Sequence, residues 1–107
     1  MVRLTIALHA ASQGAAQDLL DALSFVVVST RFEPGCATSA AWSDTNSVRY
    51  VEEWKTEEEM RRRIRSDAFT SVLSIVESAT DPTVQFDFVT RTRGLDYVAE
   101  VRNDAVS

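Results

Sequence analysis

Few side chains in these 107 residues have types suited to chemistry, and His9 is the only histidine. An imidazole ordinarily titrates near neutrality, which makes this residue type the default general base. The plainer reading is a polar residue at a strand end. The stretch VRYVEEW at 48–54 sets Tyr50, Glu52 and Trp54 two residues apart. On a strand those three share one face. A carboxylate on an apolar face needs either a partner or a functional reason. Arg49, Arg63 and Arg91 are the arginines available to pair with it or with a substrate anion. A guanidinium keeps its proton, so Arg63 or Arg91 is suited to hold a phenolate, a carboxylate or an enolate-type anion, and not to act as a base. Either is also readable as one more solvated arginine. Trp42, Trp54 and Phe69 have the planar faces that line an aromatic pocket, and the same side chains serve equally well in a core or interface.

The one cysteine lies in RFEPGC, residues 31–36. No histidine stands at a motif spacing from Cys36, and a thiol needs an activating base or cation to be a nucleophile. A small buried hydrophobe is the simpler reading. Pro34-Gly35 reads as a helix stop with a positive-φ residue. Glu33 caps that turn or pairs with Arg31. A lone histidine without a cysteine or acidic partner in a recognisable motif gives no metal signature, and the reading calls for no cofactor.

The elements that would position these residues follow from periodicity. Val2, Leu4, Ile6 and Leu8 alternate with Arg3, Thr5, Ala7 and His9, the pattern of a half-buried strand. Ser12 can cap a helix over 14–31, whose apolar positions Leu19, Leu20, Leu23, Val26, Val27 and Thr30 recur at three and four. The β-branched run FVVV at 25–28 opposes that assignment, but the periodicity spans it. Residues 37–43 and 48–54 form a hairpin around DTNS. Thr56 and Glu59 make a capping box, so a helix starts at 57, restarts at Ser66-Asp67 and ends before Asp81-Pro82. Residues 83–91 alternate as a further strand, and 95–102 read as an extra edge strand. The order β-α-β-β-α-β is the ferredoxin-like arrangement, α+β with an antiparallel sheet. The chain reads as one domain over 1–107, with a core of 2–91 and the extra strand at 95–102.

A net charge of −5 opposes sequence-independent nucleic-acid binding. The one basic cluster, MRRRIR at 60–65, follows TEEE and can pair with it as Glu57–Arg61 and Glu58–Arg62. No apolar run approaches the ~20 residues that span a bilayer. The N-terminal stretch is too polar and short for a signal peptide. A single cysteine makes no internal disulfide, which points to a cytoplasmic protein. Ala7, Val51 and Val89 leave the second sheet face partly apolar, so a homodimer through the sheet is expected.

TRFEPGC at 30–36, the hairpin, VEEW at 51–54, the capped acidic helix and SDAF at 66–69 together resemble antibiotic biosynthesis monooxygenase domains from about residue 2 to 91. The resemblance implies a dimeric α+β barrel of ferredoxin-like subunits. It implies relatives that are cofactor-independent monooxygenases of quinols and polyketide phenols, haem-degrading enzymes, or proteins of unknown activity. Many members carry a histidine where this chain has Arg63, and often a second where it has Ala68. The tryptophan and histidine of the haem-degrading branch fall at Arg63 and Leu73, and the first strand lacks that branch's asparagine, so haem degradation is disfavoured. The activity that the resemblance implies is that of a cofactor-independent monooxygenase of a phenolic or quinol substrate. His9 would be its base, Arg63 or Arg91 would hold the anion, and Trp42, Tyr50, Glu52, Trp54 and Phe69 would line the site. The alternative is a non-catalytic dimeric module that binds a small ligand or serves as a structural partner. A stress-response dimer taking a reactive carbonyl is a weaker third.

Overall fold

A computed structural model describes residues 1–88 and 92–104. The chain runs β1 (Val2–His9), α1 (Gln13–Thr30), β2 (Cys36–Asp44), β3 (Ser47–Trp54), α2 (Glu57–Arg65), α3 (Ala68–Ser78), β4 (Thr80–Asp87), β5 (Thr92–Arg93) and α4 (Asp96–Asp104). The sheet order is β2-β3-β1-β4-β5, with every neighbouring pair antiparallel. This is the ferredoxin-like α+β fold expected from the element order.

The alternation of β1 sends Val2, Leu4, Ile6 and Leu8 under the helices, where all are buried. In register beside them stand Trp54, Glu52, Tyr50 and Val48 of β3. The Ser12 hydroxyl caps α1 by accepting from the Ala15 N–H at 3.1 Å. The FVVV run stays helical because Val26 and Val27 are buried, while Phe25 and Val28 face outward. Burial of the inner two outweighs the small β-branched penalty. Gly35, at φ +87°, turns the chain from α1 into β2. The Thr56 hydroxyl accepts from the Glu59 N–H at 3.2 Å and starts α2. The helix pair breaks at Ser66-Asp67, where the Ser66 hydroxyl donates to the Arg63 carbonyl at 2.6 Å and accepts from the Phe69 N–H at 3.4 Å, while Asp67 makes no side-chain cap.

Two boundaries differ from expectation. β4 begins at Thr80, so Asp81-Pro82 lies inside the strand instead of between elements. Proline is tolerated there because, among the described residues, β5 pairs only with Phe86 and Asp87 and no strand pairs with the outer edge at Pro82. Residues 95–102 are not an edge strand: Asp96–Asp104 is a helix. Tyr97, Val98 and Val101 are all buried, at a spacing of one, three and four that one helix face satisfies and a strand face does not. Tyr97 sits edge-on to Phe88 and tilted against Phe86.

The second face of the sheet carries rows that cross the strands, such as Ala40, Val51, Thr5 and Gln85, or Trp42, Arg49, Ala7 and Thr83. Among the described residues, no helix is long and apolar enough to cross a membrane.

Candidate functional site

The candidate residues collect in two places at opposite ends of the sheet. The first is built on β3, whose alternation aims Tyr50, Glu52 and Trp54 into the core. Met60, Arg63 and Ile64 form the inner face of α2, at helical spacing, and this lays the guanidinium over the strand. Glu52 is fully buried and Arg63 is 3% exposed. Arg63 donates to Glu52 through Nε at 3.2 Å and Nη2 at 3.0 Å. Trp54 Nε1 donates to the same carboxylate at 2.9 Å, and the Tyr50 hydroxyl donates to it as well. Arg63 also donates to the Thr30 hydroxyl at 2.9 Å and to Glu33 at 3.2 Å. Its guanidinium stacks 5.6 Å from the centre of the Phe69 ring.

The pKa shifts follow from this burial. Desolvation pulls the Arg63 guanidinium down, but the Glu52 charge and hydrogen bonds outweigh it, and the net shift is upward. Burial first, and Glu52 second, hold the Tyr50 phenol well above its ordinary value. Burial and then Glu52 also push the Cys36 thiol up, which leaves it a poor nucleophile.

Chemically, this cluster is saturated. A carboxylate offers about four lone-pair directions, and Glu52 receives a bond from Tyr50, one from Trp54 and two from Arg63. The cleft that reaches it, lined by Glu33, Pro34, Trp54, Glu59 and Arg63, holds only about 130 Å³. Glu59 folds over Gly35 so closely that a Cβ there would come 1.3 Å from its Oε2.

The second place is a groove of about 420 Å³ at the C-terminal end of β1. His9 stands at its rim, exposed. Its walls are the α1 stripe Ala15, Asp18, Leu19 and Ala22, and the end of α3 with Ile75 and Ala79. The groove exists because alanines occupy positions where larger apolar residues would fill the space between α1 and α3.

These two places do not merge. His9 pairs with Ser47, and Leu4 pairs with Glu52. Five residues of strand separate them, about 16 Å at ~3.3 Å per residue. Trp42 pairs with Arg49 on the other sheet face and is 47% exposed, so it shares no wall with Trp54. Arg91 lies outside the described residues. The structure therefore brings together Tyr50, Glu52, Trp54, Arg63 and Phe69, and keeps His9 and Trp42 apart from them. Glu33 pairs with Arg63, while Arg31 donates instead to the Ser39 carbonyl at 2.9 Å. Sequence reasoning did not find Thr30 as a partner of Arg63, nor Asp18 and Ile75 in the groove. The spacing of Ala15, Asp18, Leu19 and Ala22 was the available signal. Among the described residues, no three metal-ligating side chains come together.

The sequence matches the family described as antibiotic biosynthesis monooxygenase over residues 1–73, which includes β3, α2 and most of α3. Among solved structures, the chain is similar to a Deinococcus radiodurans protein assigned as an antibiotic biosynthesis monooxygenase, at 21% identity and a TM-score of 0.72, covering 83% of this chain and 92% of that one. It is similar to a cofactor-independent oxygenase from Streptomyces nogalater at 12% identity and a TM-score of 0.68, covering 84% and 93%. A conserved Methanosarcina mazei protein aligns at 19% identity and a TM-score of 0.66, over 80% and 87%. At these identities the structural likeness establishes the fold. No protein of curated function matches the chain.

Proposed function

The chain belongs to the antibiotic biosynthesis monooxygenase family, and we propose that it is a cofactor-independent monooxygenase of a phenolic or quinol substrate. The observation that carries this reading is that its one imidazole borders a mainly apolar groove of about 420 Å³. That volume lies at the lower end of the ~300–1,000 Å³ typical of small-molecule sites. His9 takes the phenol proton. The phenolate then passes one electron to dioxygen, and the radical pair joins at the ortho or para carbon. The peroxide loses water to leave a carbonyl. One oxygen atom ends in the quinone and the other in water, with no external reductant. The apolar walls take the ring, and the hydroxyl meets His9 at the exposed rim. In this reading Arg63, Glu52, Tyr50, Trp54 and Phe69 hold α1, β3 and α2 in place at the far end.

The protein acts as a homodimer in the cytoplasm under this reading. The second sheet face, with Ala40 and Thr5 half-buried on it and Trp42 exposed beside them, is the surface for a second copy.

A second reading, a non-catalytic module binding a small aromatic ligand, is supported by the saturation of Glu52 and Arg63, which leaves little polar capacity to spare for a reacting group there. Oxygen uptake over a panel of phenols and quinols separates the two. The monooxygenase reading expects turnover that falls about 10²-fold or more in His9→Ala. Binding without uptake supports the module, and unchanged turnover in the variant removes His9 as base.

A further inference from the structure

We propose that the groove beside His9 selects neutral one- or two-ring phenols and rejects carboxylated ones, and that Asp18 is the residue that discriminates. This rests on the reading of that groove as the substrate site. Among the described residues, its titratable lining consists of His9 and Asp18. Asp18 belongs to the α1 stripe that forms one wall, one turn before Ala22 and beside Leu19. Two helix ends also meet the groove. The first turns of α1 bring a partial positive charge, and the last turn of α3, at Ser78, brings a partial negative one. These oppose each other and leave the full charge of the Asp18 carboxylate as the dominant fixed charge. Asp18 is exposed at the edge of the groove, and a substrate carboxylate entering beside it is repelled at the effective dielectric of a protein surface, which is lower than that of bulk water. Among the described residues, no arginine lines the groove to offset it. A phenol, by contrast, enters neutral: its hydroxyl donates to the imidazole, and the phenolate left when His9 takes the proton has the imidazolium beside it as counter-ion.

The size limit follows from the same walls. Ala15, Ala22 and Ala79 leave room for about 420 Å³, which suits a single or fused pair of rings. A larger side chain at Ala22, an exposed helical position, fills the space without entering the core.

The test is equilibrium dialysis at pH 7 with two probes, 2-naphthol and 6-hydroxy-2-naphthoate. They share a ring system and a hydroxyl and differ by a carboxylate. The full chain, Asp18→Asn and Ala22→Phe are compared, with circular dichroism confirming that each is folded. The expected result is 2-naphthol bound about tenfold more tightly than the naphthoate. Asp18→Asn should narrow that ratio by threefold or more, and Ala22→Phe should weaken both probes. An equal affinity for the two probes overturns the proposal. So does a ratio unchanged in Asp18→Asn, failure of both probes to bind, or binding of both that Ala22→Phe leaves intact. Binding with the expected ratio but without oxygen uptake would sink the monooxygenase reading alone. Uptake with a ratio indifferent to Asp18 would sink this inference alone.

Discussion

Replacing Arg63 by methionine should be among the costliest single changes in the chain. The substitution keeps much of the side chain's apolar length but removes its charge and donors. Glu52 would lose two of its four hydrogen bonds and the cation paired with it, while remaining fully buried. Stranding one partner of a buried ion pair costs about 3–5 kcal/mol. The lost bonds to Thr30 and Glu33 add little, because Thr30 still donates to the Val26 carbonyl at 2.7 Å and Glu33 is partly in water. Set against about 10 kcal/mol, the middle of the roughly 5–15 kcal/mol total of a small domain, that loss is about a third to a half of the stability. Urea denaturation followed by circular dichroism measures it. Glu52→Gln removes the opposite charge and leaves Arg63 with Glu33 alone as counter-ion. The double variant, Glu52→Gln with Arg63→Met, buries no uncompensated charge, and Trp54 and Tyr50 keep an amide oxygen as acceptor. It should cost at least about 2 kcal/mol less than the sum of the two single changes. An Arg63→Met loss under about 1 kcal/mol, or strict additivity, would refute the view of this pair as a coupled, desolvated unit.

Two further outcomes follow from the same region. Gly35→Ala should cost about 1–2 kcal/mol for a positive-φ alanine, more with the Glu59 overlap, and Glu59→Ala should recover the excess; equal losses in both backgrounds would contradict the close contact. Tyr50 has a folded-state pKa raised by burial and then by Glu52. Its contribution is fully present below the ordinary tyrosine value near 10 and is lost as pH rises above it, because the unfolded chain ionises first. The urea midpoint should therefore fall between pH 9 and 11, and fall less in Tyr50→Phe. Tyr97, also raised by burial, keeps part of the slope in that variant, so a slope unchanged by Tyr50→Phe would contradict the assignment.

Much of the architecture was legible because its signals were local. The alternation in VRLTIALH and VRYVEEW placed two adjacent strands and the face of Glu52, and Thr56 marked the start of α2. The pairing of Glu52 with Arg63 was one of three open choices. It was decided by the docking of α2, although Arg63 already shared a helical face with Met60 and Ile64. Trp42 could not be assigned to a face, since ATSAA has no apolar alternation and the parity of β2 comes only from its register with β3. The segment LDYVAEVR satisfies both periods, and burial of adjacent Tyr97 and Val98 settles it as a helix. The groove was hidden because it is made largely of alanines, which mark no site until two distant helix stretches meet.

The most direct measurement is oxygen uptake on neutral phenols and quinols, with isotope-labelled dioxygen and mass spectrometry of the product. One labelled oxygen atom in the quinone, with turnover lost about 10²-fold or more in His9→Ala, is the result expected of a base at the mouth of the α1–α3 groove. A labelled product formed equally well without the imidazole, or bound phenol that never consumes oxygen, would contradict it.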